Sequence, residues 1–252
     1  MSEKPYAPPY KVTDEITRLV AEITALTDAA PSSGTGIPSP QLRRDNQVRT
    51  IHSSLAIENN TLSLEQVTDI IDGRRVMGPI DEIREVKNAY QAYESLAALN
   101  PYNIDDMLRA HHVLMTGLTK EAGRFRSGGV GVFEGGALVH MAPPPKIVPQ
   151  LVHDLVTWVK DTNEHPLIKS CVFHYEFEFI HPFADGNGRM GRMWQTLLLA
   201  SWKPLFAWLP VETIIKARQR GYYDVLGASD KAADSTAFVE FMLTTLRDAL
   251  TQ

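Results

Sequence analysis

A polar, glycine-rich stretch between two apolar segments constrains this chain more than any other feature. Residues 181–192 read His-Pro-Phe-Ala-Asp-Gly-Asn-Gly-Arg-Met-Gly-Arg. The apolar segments at 168–180 and 193–199 predict a helix on each side of this stretch. Its imidazole, carboxylate, amide and two guanidiniums have no use in a hydrophobic core. The sequence therefore predicts a functional loop that joins two helices.

The composition of this loop suits an anion. Gly186 and Gly188 let the backbone approach closely, because they carry no Cβ and accept positive φ. A loop that opens a helix also offers unpaired backbone N–H groups to an anion. Arg189 and Arg192 add guanidiniums that match phosphate oxygens. These features favour a phosphate-containing ligand.

Two further side chains of the loop add a metal ligand and a base. Asp185 carries the hard oxygen that Mg²⁺ prefers, and Mg²⁺ usually bridges a carboxylate to substrate phosphates. His181 can accept a proton near neutral pH. We therefore predict a site for a nucleotide polyphosphate, with a base that activates an incoming nucleophile.

The bulk composition narrows the class of protein. A length of 252 residues with 44% hydrophobic and 22% charged residues is typical of a soluble globular protein of one or two domains. The formal charge of −5 argues against a nucleic-acid partner. A single cysteine, Cys171, suits a reducing compartment. Since neither a membrane-spanning run nor a signal peptide is evident, we expect a cytoplasmic protein.

Apolar periodicity elsewhere predicts a nearly all-α fold with one small β-hairpin. Residues 1–12 are expected to be extended, residues 31–40 to form a loop, and the glycine-rich segment 123–140 to contain the hairpin. Further helices are predicted over 14–29, 42–58, from the capping box at Ser63 to Gly73, and over 81–99, 103–118, 147–160, 211–226 and 236–250.

The stretch at 181–192 matches every specified position of the Fic family motif, His-x-Phe-x-(Asp/Glu)-Gly-Asn-Gly-Arg-x-x-Arg. Residues 54–59, Ser-Leu-Ala-Ile-Glu-Asn, resemble the inhibitory motif of that family, and residues 123–126, Gly-Arg-Phe-Arg, resemble the start of its flap. The resemblance implies an all-α Fic-fold helical bundle with a β-hairpin flap. It also suggests an N-terminal extension at 1–40, N-terminal helices at 41–120 and a catalytic core at 121–252.

The resemblance implies transfer of AMP from ATP to a Ser, Thr or Tyr hydroxyl of a target protein. It assigns His181 as the base that deprotonates this hydroxyl and Asp185 as the ligand of Mg²⁺. Backbone N–H groups at 186–188, with the Asn187 side chain, would hold the α-phosphate, and the two arginines would hold the β- and γ-phosphates. The full set of implied ATP contacts is Asp185, Gly186, Asn187, Gly188, Arg189, Met190, Gly191, Arg192, Tyr222 and Tyr223.

Glu58 has an implied regulatory role. In relatives with this motif the glutamate pairs with the second arginine, here Arg192, and keeps ATP in an unproductive pose. Ser54 lies on the same helix face as Glu58 and would support it. The same glutamate helps remove AMP in some relatives, so deadenylylation is a possible second activity. The resemblance also suggests strand addition of the target to the flap, a homodimer and self-modification.

Other interpretations stay open at this point. Glu58 could be a solvated residue at a helix end, and His181 a structural histidine. The transferred group could be phosphate, another nucleotide or phosphocholine, or the chain could be a nucleotide-responsive regulator. A metal site at His174, Glu176, Glu178 and His181 is disfavoured because these positions do not share one helix face. His111 and the paired His112 are interpreted as ordinary helix residues.

Overall fold

Helices form nearly all of the regular structure. The computed structural model describes residues 6–29, 39–134 and 137–251. Within these residues the helices are α1 Asp14–Ala29, α2 Pro40–Ile57, α3 Leu64–Ile71, α4 Ile80–Glu94, α5 Ile104–Met115, α6 Val148–Asp161, α7 Pro166–Ile180, α8 Asn187–Trp202, α9 Val211–Ala217, α10 Gln219–Ala232 and α11 Thr236–Thr251. Short 3₁₀ helices cover Leu96–Ala98, Pro145–Ile147 and Pro204–Trp208.

Helices α7 and α8 form the centre of the molecule and join through the loop at 181–186. Most residues of both helices are buried, including polar ones such as Ser170 and His174. A helix that is buried on all sides lies inside the protein and has neighbours on every face. The loop between them is therefore held at both ends by helices that are packed inside the protein.

Two hydrophobic clusters pack on opposite sides of this central pair. One contains apolar residues of α2 to α6 together with Phe183 from the loop. The other contains Ile16, Leu19 and Ile23 of α1 together with Phe238 and other residues of the C-terminal helices. The first and last helices of the chain therefore share a core, whereas the division of the sequence at residues 40 and 120 stays a prediction.

The hairpin consists of β1 (Gly131–Glu134) and β2 (Ala137–Met141). The strands pair antiparallel, with Gly131 opposite Met141 and an irregularity between Val132 and Phe133. Gly135 and Gly136 lie outside the described residues, as do the predicted loop residues 31–38 and residues 1–5 of the N-terminal segment. No helix in the described part of the chain has the length and apolar character that a bilayer crossing requires.

Several predicted helices have different bounds in the structure, and two of these differences concern α8 and the junction of α9 and α10. The helix predicted over 211–226 is interrupted at Arg218, where φ is −113° and ψ is 25°. Neither glycine nor proline marks this position, so contacts with the rest of the fold decide the break. Helix α8 begins at Asn187 rather than Met193, because Gly186 takes a left-handed conformation and starts the helix within the polar stretch.

Candidate active site

The loop between α7 and α8 is shaped by two residues with positive φ and by one buried ring. His181 ends α7 with φ of 49°, and Gly186 precedes α8 with φ of 83°. Phe183 is fully buried between them and anchors the loop in the core. The Asn187 amide accepts a hydrogen bond from the Phe183 N–H at 2.9 Å and donates one to the Phe183 carbonyl at 2.9 Å. Since Asn187 is also buried, its side chain supports the loop, and its contact with phosphate stays a prediction.

His111 packs against the loop and forms a hydrogen bond with it. Its ring stacks on Phe183 with centroids 3.6 Å apart. Its Nδ1 accepts the Gly123 N–H at 2.9 Å, so Nε2 carries the proton and donates to the Asp185 carbonyl at 3.0 Å. Burial lowers the pKa of His111 to about 4, which keeps the ring neutral. The interpretation of His111 as an ordinary helix residue was wrong, because its ring packs on the loop and bonds to it. No sequence pattern indicates this role, since its hydrogen-bond partners are backbone groups.

Arg126 joins the hairpin to the loop. Its buried guanidinium donates through Nε to the His181 carbonyl at 2.7 Å and through one terminal nitrogen to the Gly128 carbonyl at 2.9 Å. The other terminal nitrogen donates to the Pro143 carbonyl at 2.5 Å and the Ile180 carbonyl at 3.3 Å. One side chain therefore connects both ends of the hairpin segment to the end of α7. Sequence reasoning placed Arg126 in the flap motif but did not predict this role.

The His181 imidazole is oriented by a backbone acceptor. Its Nδ1 lies 3.3 Å from the Glu178 carbonyl oxygen. A carbonyl can only accept, so Nδ1 is the donor and Nε2 is the basic nitrogen of the neutral ring. The tautomer is therefore suited to taking a proton at Nε2.

Asp185 and Arg189 lie next to each other at the start of α8. The Asp185 carboxylate accepts the Gly186 N–H at 2.6 Å and an N–H of Arg189 at 3.3 Å. It keeps 60% of its side chain exposed, so it can reach a further cation. Arg189 is buried and also pairs with Glu85 at 3.0 Å, a contact that the sequence did not predict.

Arg192 is held by the end of α2. It donates to the Glu58 carboxylate at 2.7 Å, to the Ser54 hydroxyl at 3.1 Å and to the Ser54 carbonyl at 3.0 Å. Burial opposes the charge of Arg192, but the Glu58 carboxylate outweighs it and the net effect raises the pKa of the guanidinium. The Glu58–Arg192 pair that the family resemblance implied is present, whereas the Ser54 hydroxyl contacts Arg192 and supports Glu58 only through it.

The Glu58 carboxylate also lies against the first turn of α8. A Cβ at Gly188 would collide with the Glu58 Oε1 atom and would lie 3.0 Å from the Arg192 guanidinium. Gly186 precedes this helix and has no side chain that could cap it. The first N–H groups of a helix and its dipole both favour an anion. Glu58 therefore supplies negative charge where a ligand phosphate would receive the same stabilisation.

Some of the other predicted ligand residues have buried side chains. Met190 is fully buried in the core, and Gly191 packs against α7. The Tyr222 side chain is buried and donates to His174 Nε2 at 3.0 Å. The nucleotide contacts of Met190 and Tyr222 stay predictions, since both side chains form core contacts in this structure. Tyr223 is 38% exposed and stays a candidate.

Comparisons with known proteins agree with this geometry. Residues 101–199 match the Fic/DOC family. A crystal structure of a Fic family protein from Desulfovibrio desulfuricans G20 is similar, with a TM-score of 0.94 and 58% identity over 98% of this chain and 76% of that one.

Curated relatives carry a more specific name. Protein adenylyltransferase Fic from Aedes aegypti is 29% identical over 221 residues, which cover 83% of this chain and 42% of the relative. Protein adenylyltransferase fic-1 from Caenorhabditis elegans is 31% identical over 188 residues, which cover 69% of this chain and 35% of the relative. The chain thus spans less than half the length of either relative. Its motif, its fold and its 58% identity to a solved Fic protein establish that the chain belongs to the Fic family.

Proposed function

We propose that this chain is a protein adenylyltransferase, which moves AMP from ATP to a hydroxyl group of a target protein. One observation carries this proposal: the basic nitrogen of His181 and the helix start at Gly186–Gly188 belong to the same rigid loop. This places a base beside an anion site, as transfer of a phosphorus group requires. The names of the two curated relatives support the choice of AMP.

The proposed reaction is a displacement at the α-phosphorus. His181 Nε2 removes the proton from the target hydroxyl, whose oxygen forms a bond to the α-phosphorus. The bond from that phosphorus to the bridging oxygen breaks, and pyrophosphate leaves with its electron pair. Backbone N–H groups at 186–188 would stabilise the charge that develops on the α-phosphate. Catalysis of this kind depends on positioning and electrostatics more than on covalent chemistry.

Asp185 fits a role as the protein ligand of Mg²⁺. The described residues include no group of three or more acidic, His or Cys side chains arranged around a metal. Mg²⁺ in nucleotide sites usually needs only one or two carboxylates, because phosphates and water complete its shell. The exposed Asp185 carboxylate meets that requirement. The ion would neutralise charge on the α- and β-phosphates.

Glu58 would inhibit the enzyme by taking the place of the γ-phosphate. Arg192 is buried and already paired, so a phosphate can reach it only when Glu58 moves away. Ser54 orients the guanidinium towards Glu58 in the inhibited state. A possible deadenylylation activity would use the same glutamate.

The target protein would bind at the hairpin. A two-stranded sheet has free edges that can pair with an extended peptide segment. Arg126 would hold this hairpin next to His181, so the acceptor hydroxyl arrives within reach of the base. A homodimer, self-modification and a cytoplasmic location stay predictions.

Mass spectrometry tests the proposed function. The Glu58→Gly variant is incubated with ATP, Mg²⁺ and cell lysate, next to a matched Glu58→Gly/His181→Ala variant. We expect proteins that carry the added mass of AMP only in the first sample. An added mass of phosphate or phosphocholine would identify a different transferase, and unmodified proteins in both samples would contradict the proposal.

A further inference from the structure

The end of α2 is held by side chains from the junction of α9 and α10. Lys216 donates from Nζ to the Ala56 carbonyl at 2.7 Å. Gln219 donates from Nε2 to the Ile57 carbonyl at 2.9 Å. Lys216 also donates to the Gln219 side-chain oxygen at 2.8 Å, so the two side chains act together. We call Lys216 and Gln219 the α2 clamp.

The clamp satisfies groups that a helix leaves unpaired. The last carbonyls of an α-helix lack intrahelical donors and carry the negative end of the helix dipole. A lysine at this end supplies both a donor and a positive charge. Local turns contribute as well, since the Asn59 N–H bonds the Ala56 carbonyl at 3.2 Å and the Asn60 N–H bonds the Leu55 carbonyl at 3.1 Å. The clamp adds a tertiary anchor to these local bonds.

The position of the clamp links it to Glu58. The Ile57 carbonyl belongs to the peptide unit that joins Ile57 to Glu58, so Gln219 fixes the plane from which Glu58 departs. The Glu58 side chain is 31% exposed and forms an ion pair with Arg192. The Arg192 guanidinium is 2% exposed and fixed in the core, so the geometry of the pair depends on where the backbone places Glu58. The backbone anchor must therefore supply much of the precision of this contact.

We propose that Lys216 and Gln219 are positioning residues for Glu58 and set the strength of the inhibition. This inference rests on the proposed function, since it concerns the same site. When the clamp is released, the last turn of α2 frays and Glu58 leaves Arg192 more often. Neither clamp residue touches the loop at 181–186 in the contacts described above, so the catalytic groups keep their geometry.

Tyr223 extends the clamp towards the nucleotide. Its hydroxyl lies 3.4 Å from the same Ile57 carbonyl, and its ring is 38% exposed. A nucleobase that contacts this ring would therefore lie next to the Ile57 carbonyl that Gln219 holds. The clamp residues themselves are tested first, because Tyr223 is a candidate ligand contact.

The decisive experiment compares AMP labelling by Lys216→Met and Gln219→Ala with that of the wild type. We expect each variant to label more, on the order of tenfold, which corresponds to loss of one hydrogen bond to a charged or buried group. Lys216→Arg keeps a cationic donor and should stay near the wild type. Lys203→Met, which removes the exposed ion pair to Asp28, is the matched control and should change nothing.

Two further measurements separate the clamp from general destabilisation. In a Glu58→Gly background, Lys216→Met should add no further labelling, whereas a merely structural role would lower it. Hydrogen exchange at the amides of Glu58, Asn59 and Asn60 should be faster in both clamp variants, with other regions unchanged. The exchange measurement does not depend on catalysis, and Gln219→Ala serves if Lys216→Met fails to fold.

The outcomes are distinguishable. If Glu58→Gly raises labelling but the clamp variants do not, the clamp proposal is wrong while the proposed function stands. If no variant labels at all, the proposed function fails, and exchange alone decides the clamp. Unchanged hydrogen exchange at residues 58–60 in the clamp variants would then overturn the clamp proposal.

Discussion

The catalytic loop and the end of α2 meet at Arg192, but they are built differently. The loop is fixed from several sides by buried groups: the Phe183 ring, the Asn187 amide, His111 and Arg126. At the end of α2 the apolar side chains are buried, but the terminal carboxylate is partly exposed and the last carbonyls are held by the two clamp side chains. Strong packing keeps the catalytic geometry constant, whereas a few polar contacts can be released at low cost. Under the proposed function, a catalytic part that is fixed by buried groups lies next to an inhibitory part that is held by polar contacts.

The largest expected effect comes from the base of the fixed part. In a Glu58→Gly background, His181→Ala should lower the rate of AMP labelling by at least about a hundredfold, because general bases contribute on this scale. The rate is measured with labelled ATP, and circular dichroism checks the fold. Equal rates in the two variants would show that another group removes the proton.

Arg126 tests the support of the loop. Arg126→Gln should lower the free energy of unfolding by about 4 kcal/mol, since it leaves several buried carbonyls without donors. Arg124 lies two residues away and is exposed, so Arg124→Gln is the matched control and should have little effect. Urea unfolding measures both variants. Equal losses would mean that the buried contacts of Arg126 contribute nothing special.

His111 gives the fixed part a dependence on pH. Burial holds the pKa of folded His111 at about 4, below its ordinary value of 6.5, so the unfolded chain binds more protons between these values. The contribution of His111 to the free energy of unfolding should therefore be fully present above pH 6.5 and fall by about 3 kcal/mol as the pH drops to 4. His111→Gln should flatten this decline in unfolding curves recorded at several pH values. His174, with a folded pKa of about 3, would account for the part that stays.

Ser54 tests the releasable part and should have the smallest effect. Ser54→Ala removes one acceptor of Arg192 but leaves the carbonyl acceptor in place. We expect a loss of about 1 kcal/mol in unfolding free energy and a rise of a few fold in labelling. Ser53→Ala alters a neighbouring buried serine and serves as the control. A drop in labelling with Ser54→Ala would indicate that Ser54 serves the active state.

Local signals in the sequence predicted much of the fold. The first helix has the predicted bounds, and the capping box at Ser63 and Gln66 is confirmed. The break at Arg218 could not be predicted, because the apolar spacing runs through it and neither glycine nor proline marks the position. Patterns of three or four residues report on local structure and not on tertiary contacts.

The site was predictable to a different extent. The motif at 181–192 identified the loop, but the pairing of Glu58 with Arg192 joins residues 134 positions apart and came from family resemblance. His111, Arg126 and the α2 clamp act through backbone carbonyls and N–H groups. Such partners exist at every position of a chain, so sequence alone does not reveal them.

The rate of AMP labelling in Glu58→Gly and in the wild type, measured together with ATP affinity, tests the account most directly. We predict that Glu58→Gly labels at least about tenfold faster, a difference of about 1.4 kcal/mol, although its melting temperature falls because buried Arg192 loses a carboxylate partner. ATP affinity should differ far less than the rate, because inhibition acts on the pose of the γ-phosphate. Equal rates at saturating ATP would contradict the claim that Glu58 inhibits AMP transfer.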